Sequence, residues 1–500
     1  MINQTIRKTM LLLLGVVILL GACAPTGEVE IAPSATPTLE PTAAPTETPT
    51  AIPEPSPTPT PLPLDGQQTQ YFIDATINYY NRFISATSRV IYTNKTQVPL
   101  NEIVFIIYPT IFQDAIFIRS IKLGDGTAIS IFNWESHRML IPLEEPLLPG
   151  EQIEIVHEFE LYMPNREGTF GQTGRQLNLA YWFPIIPPYD EEQGWLVYEI
   201  SIVNSMIVGE HLVFEAADFN VTLAFSDRRE NFSIAAGAPA NETDDVINYQ
   251  LNLARTFTIS ISDIFTVTER QVDGITILSY AFPEDAASGE AAADITVDAV
   301  RLYSELFGPP ERDLISVVEA DFLHGMEFDG LILLSRGFYM FHDGTPKTNL
   351  TIITPHEISH QWFFSLVGNN QALEPWLDET LATYAEVLFY ERYYPDLVEW
   401  WWENRVDGHG PSGYVDNTIY LEAGYDAYRN SVYLNGARFM QELREAVGEE
   451  AFFNFLYDYV RSHRYQIATG EDFWRTLQAH TAADLSDIVA RYFSTPPAIP

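Results

Sequence analysis

Residues 354–360 read Thr354-Pro355-His356-Glu357-Ile358-Ser359-His360. Two residues four apart on a helix differ by ~40° around its axis and ~6 Å along it, so both imidazoles leave one face and can grip one ion. Thr354 suits an N-cap and Pro355 the first helical position, which predicts the pair in the first turns of a helix. Two imidazoles are an incomplete site, because a catalytic zinc takes a third protein ligand and keeps a fourth position open for water. Glu379, in Trp376-Leu377-Asp378-Glu379-Thr380, is the candidate third ligand, with eighteen residues between it and His360. That spacing fits one helix, a turn through Gly368-Asn369-Asn370, and a second helix returning across the first. On the second helix Leu377, Leu381, Tyr384 and Leu388 would face the core and Glu379 the ion. Glu386, two turns further on, is placed to hydrogen-bond one of the histidines from behind.

Outward from this centre the chain divides by periodicity. From 66 to 267 it reads as strand after strand. Tyr71, Ile73, Ala75, Ile77 and Tyr79 alternate with polar residues, and similar short runs recur at Val90–Thr93, Ile103–Tyr108, Ile153–Phe159, Val213–Phe225 and Thr256–Ile261. This pattern predicts an antiparallel β region, a sandwich or saddle. From 268 to 500 a helical stretch, Ala287–Phe307, precedes two apolar strands, Leu314–Val318 and Leu331–Leu334. Beyond Asn349 the pattern is almost wholly helical. The fold class is therefore α+β and multidomain. The histidines at 324, 342, 409, 463 and 480 have no ligand spacing to one another and read as structural or surface residues. Trp400, Trp401 and Trp402 cannot share one helix face. At least one of the three is expected to be exposed or to shield a pocket, with core packing as their main use.

His356-Glu357-x-x-His360 with Glu379 resembles the gluzincin metallopeptidases, and within them the aminopeptidase N-like family. Two further motifs carry the resemblance. His324-Gly325-Met326-Glu327-Phe328 is similar to the family's Gly-x-Met-Glu-Asn exopeptidase motif on an edge strand, with Phe328 in place of asparagine. Tyr433-Leu434-Asn435-Gly436 is similar to its Tyr-x-Lys-Gly segment, with Asn435 in place of lysine. The resemblance implies an N-terminal β saddle followed by a thermolysin-like catalytic domain and one zinc ion on His356, His360 and Glu379. It implies Glu357 as general base, passing a proton from the metal-activated water to the leaving amine. Tyr433 would stabilise the oxyanion, with Tyr425 and Tyr428 as nearby competitors. Glu327, with Met326 and Gly325 beside it, would bind the free α-ammonium of a peptide substrate. An endopeptidase using the same centre, and a surface protein that keeps the fold for binding, stand as alternatives. Many family members carry a helical solenoid after the catalytic domain. Here the chain reaches Pro500 soon after the 472–493 helical stretch, so an open cleft, or one covered by a partner subunit, is expected.

The N-terminal end reads differently again. Arg7 and Lys8, the apolar run Met10–Leu20 and Leu20-Gly21-Ala22-Cys23 have the form of a secretory leader over 1–22. The last four residues resemble a bacterial lipobox, and Cys23, the only cysteine of the chain, is the candidate lipidation site. Residues 23–65 are mostly Pro, Thr, Ala and Glu, a composition that cannot bury a core and favours an extended stalk. At ~3.1 Å per residue it could hold the rest of the chain up to ~100 Å from a membrane. The sequence thus predicts a lipid-anchored protein of the cell envelope on the extracytoplasmic side. With Lys+Arg 27 against Asp+Glu 68 the net charge is −41, which repels phosphate backbones and argues against nucleic-acid binding.

Overall fold

The computed structural model describes residues 67–495 apart from 204–205, 244–245 and 422–423. The leader, Cys23 and the Pro/Thr-rich segment lie outside the described residues. No described helix is long and apolar enough to cross a membrane.

The alternation of the β-rich region becomes a seven-stranded sheet. Its strand order is Asn241–Thr243, Val246–Ala254, Ala217–Phe225, Gln70–Asn78, Phe83–Thr93, Gln152–Tyr162, Ile116–Leu123. Tyr71, Ile73, Ala75 and Ile77 are buried while the residues between them face outward, as a sheet with one covered face requires. Smaller sheets of three and four strands share its apolar core, in which Phe105, Phe159, Phe170 and Leu179 are fully buried. One pairing departs from the antiparallel expectation: Gln70–Asn78 lies parallel to Ala217–Phe225. The chain between them also builds three more strands of this sheet, Phe83–Thr93, Ile116–Leu123 and Gln152–Tyr162, so no hairpin joins the two, and only a tight turn forces antiparallel pairing.

The second sheet has the order Thr266–Val272, Ile275–Ala281, Leu314–Ala320, Leu331–Ser335, Gly325–Phe328. The division expected between residues 267 and 268 falls inside its first strand. The helix Ala286–Phe307 connects two parallel strands, and Leu314–Ala320 is buried along its whole length, as a strand covered on both faces must be. Gly325–Phe328 is the edge strand, antiparallel to Leu331–Ser335. Helices supply the rest of a second large core.

Two helices carry the motif residues. The first, Asn349–Ser359, begins earlier than expected, so that Thr354 and Pro355 lie in its middle and His360 caps its C-terminal end. Thr354 Oγ1 bonds back to the Leu350 carbonyl at 2.6 Å, the habit of a mid-helix threonine and not of a cap. Pro355 forfeits one helical hydrogen bond; the burial of Leu350, Thr351, Thr354 and Ile358 holds the turn regardless. The imidazoles therefore project near a helix C-terminus, where the partial charge of the backbone is negative and suits a cation. The second helix, Trp376–Tyr393, is buried on every side from Trp376 to Tyr390 instead of on one face.

Candidate metal centre and its carboxylate surround

His356, His360 and Glu379 converge although they come from two helices. His356 Nε2 lies 3.3 Å from His360 Nε2 and 3.3 Å from Glu379 Oε2, and His360 Nε2 lies 3.7 Å from the same oxygen. Three ligands on a tetrahedral ion at ~2.0–2.2 Å would stand ~3.3–3.6 Å apart. Glu379 Oε2 is buried and has no hydrogen-bond donor. An anionic oxygen left so inside a protein is costly unless a cation completes it, so the residues present fit a zinc ion. Among the described residues, two further groups could also hold a metal, Glu327 with Glu357 and His360, and Glu210 with Glu327 and Glu379. Each overlaps the first, and carboxylates dominate both.

Both rings are fixed from behind. His356 Nδ1 meets Glu386 Oε1 at 2.9 Å, and His360 Nδ1 meets the Phe363 carbonyl at 2.9 Å. Each partner accepts the Nδ1 proton, leaving both Nε2 atoms free to bind a metal. Glu386 does occupy the place the sequence suggested for it. Its own lone pairs are engaged by Arg405 at 2.8 and 2.9 Å and by Trp401 Nε1 at 3.1 Å. Burial alone would raise the Glu386 pKa; the Arg405 charge and the bond from His356 hold it below the usual carboxylate range. Arg405 stands on a π-helical turn, Trp402–Val406, a distortion that re-aims side chains. Trp401 is fully buried, while Trp400 and Trp402 are half-buried, so none of the three is exposed.

Glu357 is buried beside the three candidate ligands, and its Oε2 has no partner. Burial, with Glu379 and Glu386 nearby, raises its pKa, against the pull of His356 and Arg405. The edge strand passes so close that a Cβ on Gly325 would collide with the Glu357 carboxylate, which is the physical reason for a glycine at that position. Met326 is half-buried against the Phe328, Leu331 and Leu333 cluster. Glu327 is buried, with Gln371 Nε2 donating to its Oε1 at 3.2 Å and to Asp378 Oδ2 at 3.0 Å.

Tyr433 lies on a π-helical segment, Arg429–Asn435, with its ring parallel to that of His356 at 6.0 Å. Of its competitors, Tyr428 is fully buried and Tyr425 packs against His324 at 5.7 Å. Gly436 explains the approach, since a Cβ there would strike Thr380, the neighbour of Glu379, and Thr380 Oγ1 donates to the Val432 carbonyl at 2.5 Å.

Sequence reasoning missed Glu210, Gln371, Asp378 and Arg405. Asp378 adjoins Glu379 and was in view without a role, but no local pattern marks Glu210, which comes from the β-rich region. Its carboxylate approaches those of Glu327 and Glu379. Burial, and then mutual repulsion, raise Glu210, Glu327 and Asp378 well above the ordinary carboxylate range. A cation entering among them would relieve that repulsion.

Residues 292–492 match the peptidase family M1 domain. Aminopeptidase M1-D of Oryza sativa subsp. japonica is 26% identical over 221 residues, covering 41% of this chain and 25% of that protein. Endoplasmic reticulum aminopeptidase 1 of Homo sapiens is 25% identical over 244 residues, 45% of this chain and 25% of that one. The chain thus spans about a quarter of the length of these relatives. Among solved structures, the M1 zinc metallopeptidase of Deinococcus radiodurans superposes with a TM-score of 0.60 at 17% identity, over 87% of this chain and 96% of that chain. At that identity the likeness speaks for the fold.

Proposed function

With residues 292–492 forming a domain of peptidase family M1, we propose that the protein is a zinc-dependent aminopeptidase that removes N-terminal residues from peptides. The observation that carries this reading is the juxtaposition of two different constellations. One is a metal-sized triangle of His356, His360 and Glu379. The other is a pair of carboxylates, the buried Glu327 and the half-buried Glu210, reaching to within 4.8 Å of it. The first suits hydrolysis and the second suits a free α-ammonium group.

His356, His360 and Glu379 would hold the zinc ion, which would supply Lewis-acid chemistry toward a water and the scissile carbonyl. Glu357 Oε2 takes the proton of the attacking water and returns it to the leaving nitrogen; a raised pKa suits a group that must do both. The Tyr433 hydroxyl donates to the carbonyl oxygen as it gains negative charge. Glu327 and Glu210 accept hydrogen bonds from the substrate's α-ammonium and so place the first peptide bond at the metal. Lipidation at Cys23 would tether this activity outside the cell, with residues 24–65 as the spacer.

A panel of short peptides with free and acetylated N-termini, assayed with and without a chelator, tests the activity. Chelator-sensitive release of single residues from free peptides alone is expected. Cleavage of acetylated peptides would make the protein an endopeptidase. Failure on both, with zinc bound, would point to a missing partner subunit over the cleft or to a binding role. The anchor is tested by fractionation: Cys23→Ser should leave the membrane fraction, and membrane retention of the variant would overturn lipidation.

A further inference from the structure

The strand that carries Glu327 ends in the turn Phe328-Asp329-Gly330-Leu331, which is held from several sides. Gln361, the residue immediately after His360, bonds both ends of it. Its Nε2 donates to the Phe328 carbonyl at 3.0 Å, and its Oε1 accepts from the Gly330 N–H at 2.8 Å. A primary amide alone among uncharged side chains offers a donor and an acceptor side by side. Gln361 is fully buried, so neither bond is shared with solvent.

The other side of the turn is locked by the β-rich region. Asp329 Oδ2 accepts the N–H groups of Arg255 and Thr256, each at 2.9 Å, and the Thr256 hydroxyl at 3.1 Å. Its Oδ1 accepts from Arg312 at 3.0 Å and from Ser365 Oγ at 2.6 Å. Arg255 in turn donates to the carbonyls of Phe364 and Ser365, which follow the zinc-motif helix, and to those of Phe214, Leu366 and Gln466. Gly330 has a φ of +65°, and its backbone meets that of Gly237 so closely that a Cβ on either glycine would collide. Apart from Gln466, every partner named here is buried.

The turn therefore joins two things that matter to each other. One residue before it is Glu327; one residue before its Gln361 clamp is His360. We propose that the Gln361 amide, backed by Asp329, is the ruler of this enzyme: it fixes the distance between the amine anchor and the metal and thereby sets the cut one residue from the N-terminus. Gln361 is a positioning residue, acting through the strand that carries Glu327. A loosened strand would leave the metal and Glu357 in place while the anchor wandered, so binding of free-amine peptides should suffer before the chemical step does. Errors of about 1 Å in such a placement cost on the order of 100-fold in related situations.

This inference rests on the aminopeptidase reading, and the experiment separates the two. Wild type, Gln361→Met and Gln361→Glu are compared for zinc content, thermal unfolding, and steady-state kinetics on free and acetylated tetrapeptides, with the products identified by mass. Gln361→Met, which removes both bonds, is expected to keep zinc, to keep kcat within threefold, to raise KM for free peptides at least tenfold, and to release some dipeptide. Gln361→Glu, which keeps the acceptor for Gly330, should fall between Met and wild type. Unchanged KM and cleavage position in Gln361→Met, or a loss of kcat alone, would overturn the ruler while leaving the aminopeptidase reading intact. Wild type that cleaves acetylated peptides as well as free ones would overturn both. If Gln361→Met does not fold, Asp329→Asn is read by the same KM, kcat and product criteria; loss of zinc and fold in that variant too would make the turn purely structural and the proposal false.

Discussion

His157, in the β-rich region, and His356, in the helical one, are both buried, yet their surroundings are opposite. His157 sits in the strand Gln152–Tyr162 with the Phe105 ring at 4.5 Å, and neither of its nitrogens has a hydrogen-bond partner. Burial alone pushes its pKa down to about 3, so it is a neutral aromatic filler. His211 is similar, with both nitrogens unpartnered and a pKa pushed down to about 4 by burial, assisted by His137. His356 has one nitrogen tied to Glu386 and the other aimed at His360 and Glu379. The same side chain is thus packing material in one core and a candidate ligand in the other. What separates them is a carboxylate behind the ring, itself held in place by Arg405 and Trp401. An imidazole becomes a directed donor only when something fixes which nitrogen carries the proton.

Breaking the chemistry on the helical side should have the largest effect. Glu357→Gln preserves size and leaves the metal triangle untouched, so zinc content should stay at wild-type level while kcat falls by roughly 10²–10⁴-fold. Turnover within tenfold of wild type would remove Glu357 from the proton-transfer role. Glu386→Gln tests the backing of His356 directly. It should weaken zinc affinity by about 10–100-fold, measured by chelator competition, because the ring loses its anionic acceptor and Arg405 its counter-charge. Equal affinity in the variant and wild type would mean that packing alone orients the ring.

The contrast on the β side should appear as acid sensitivity. The folded-state pKa of His157 lies below its unfolded value of 6.5, so the unfolded chain binds the proton first as pH falls. Its contribution to stability is complete above pH ~6.5 and is lost progressively toward pH ~3. Between pH 7 and pH 5 it should cost about 2 kcal/mol, and His157→Leu should flatten the stability curve by that amount in urea unfolding. An unchanged pH slope in the variant would show that the ring is already solvated in the folded state.

The centre of the site was legible because its spacing is local physics. Four residues on a helix and a return through Gly368-Asn369-Asn370 bring His356, His360 and Glu379 together with little help from the rest of the chain. The alternation at Tyr71–Tyr79 and the helix over Ala286–Phe307 were equally plain, for period two and period 3.6 survive any tertiary context. Thr354 and Pro355 misled because a cap signal is worth about 1 kcal/mol, less than the apolar contacts of Leu350 and Ile358 that carry the helix backward through the proline. The glycines at 325 and 436 could be matched to motifs, but their reason, room for Glu357 and for Thr380, is visible only in three dimensions.

What could be read without a fold was the trio His356, His360 and Glu379 that converges as a candidate metal triangle, its neighbour Glu357, and the alternation of strand and helix, all of which depend on contacts within one element or across one turn. Tertiary structure alone decided that Glu210 from the β-rich region joins the carboxylates, that Arg405 and Trp401 stand behind Glu386, and that Gln361 and Asp329 pin the Glu327 strand between two cores. Those groups are far apart along the chain and bear no mutual spacing. Their partnership exists because buried charges and amides must be satisfied wherever the fold happens to bring donors and acceptors together.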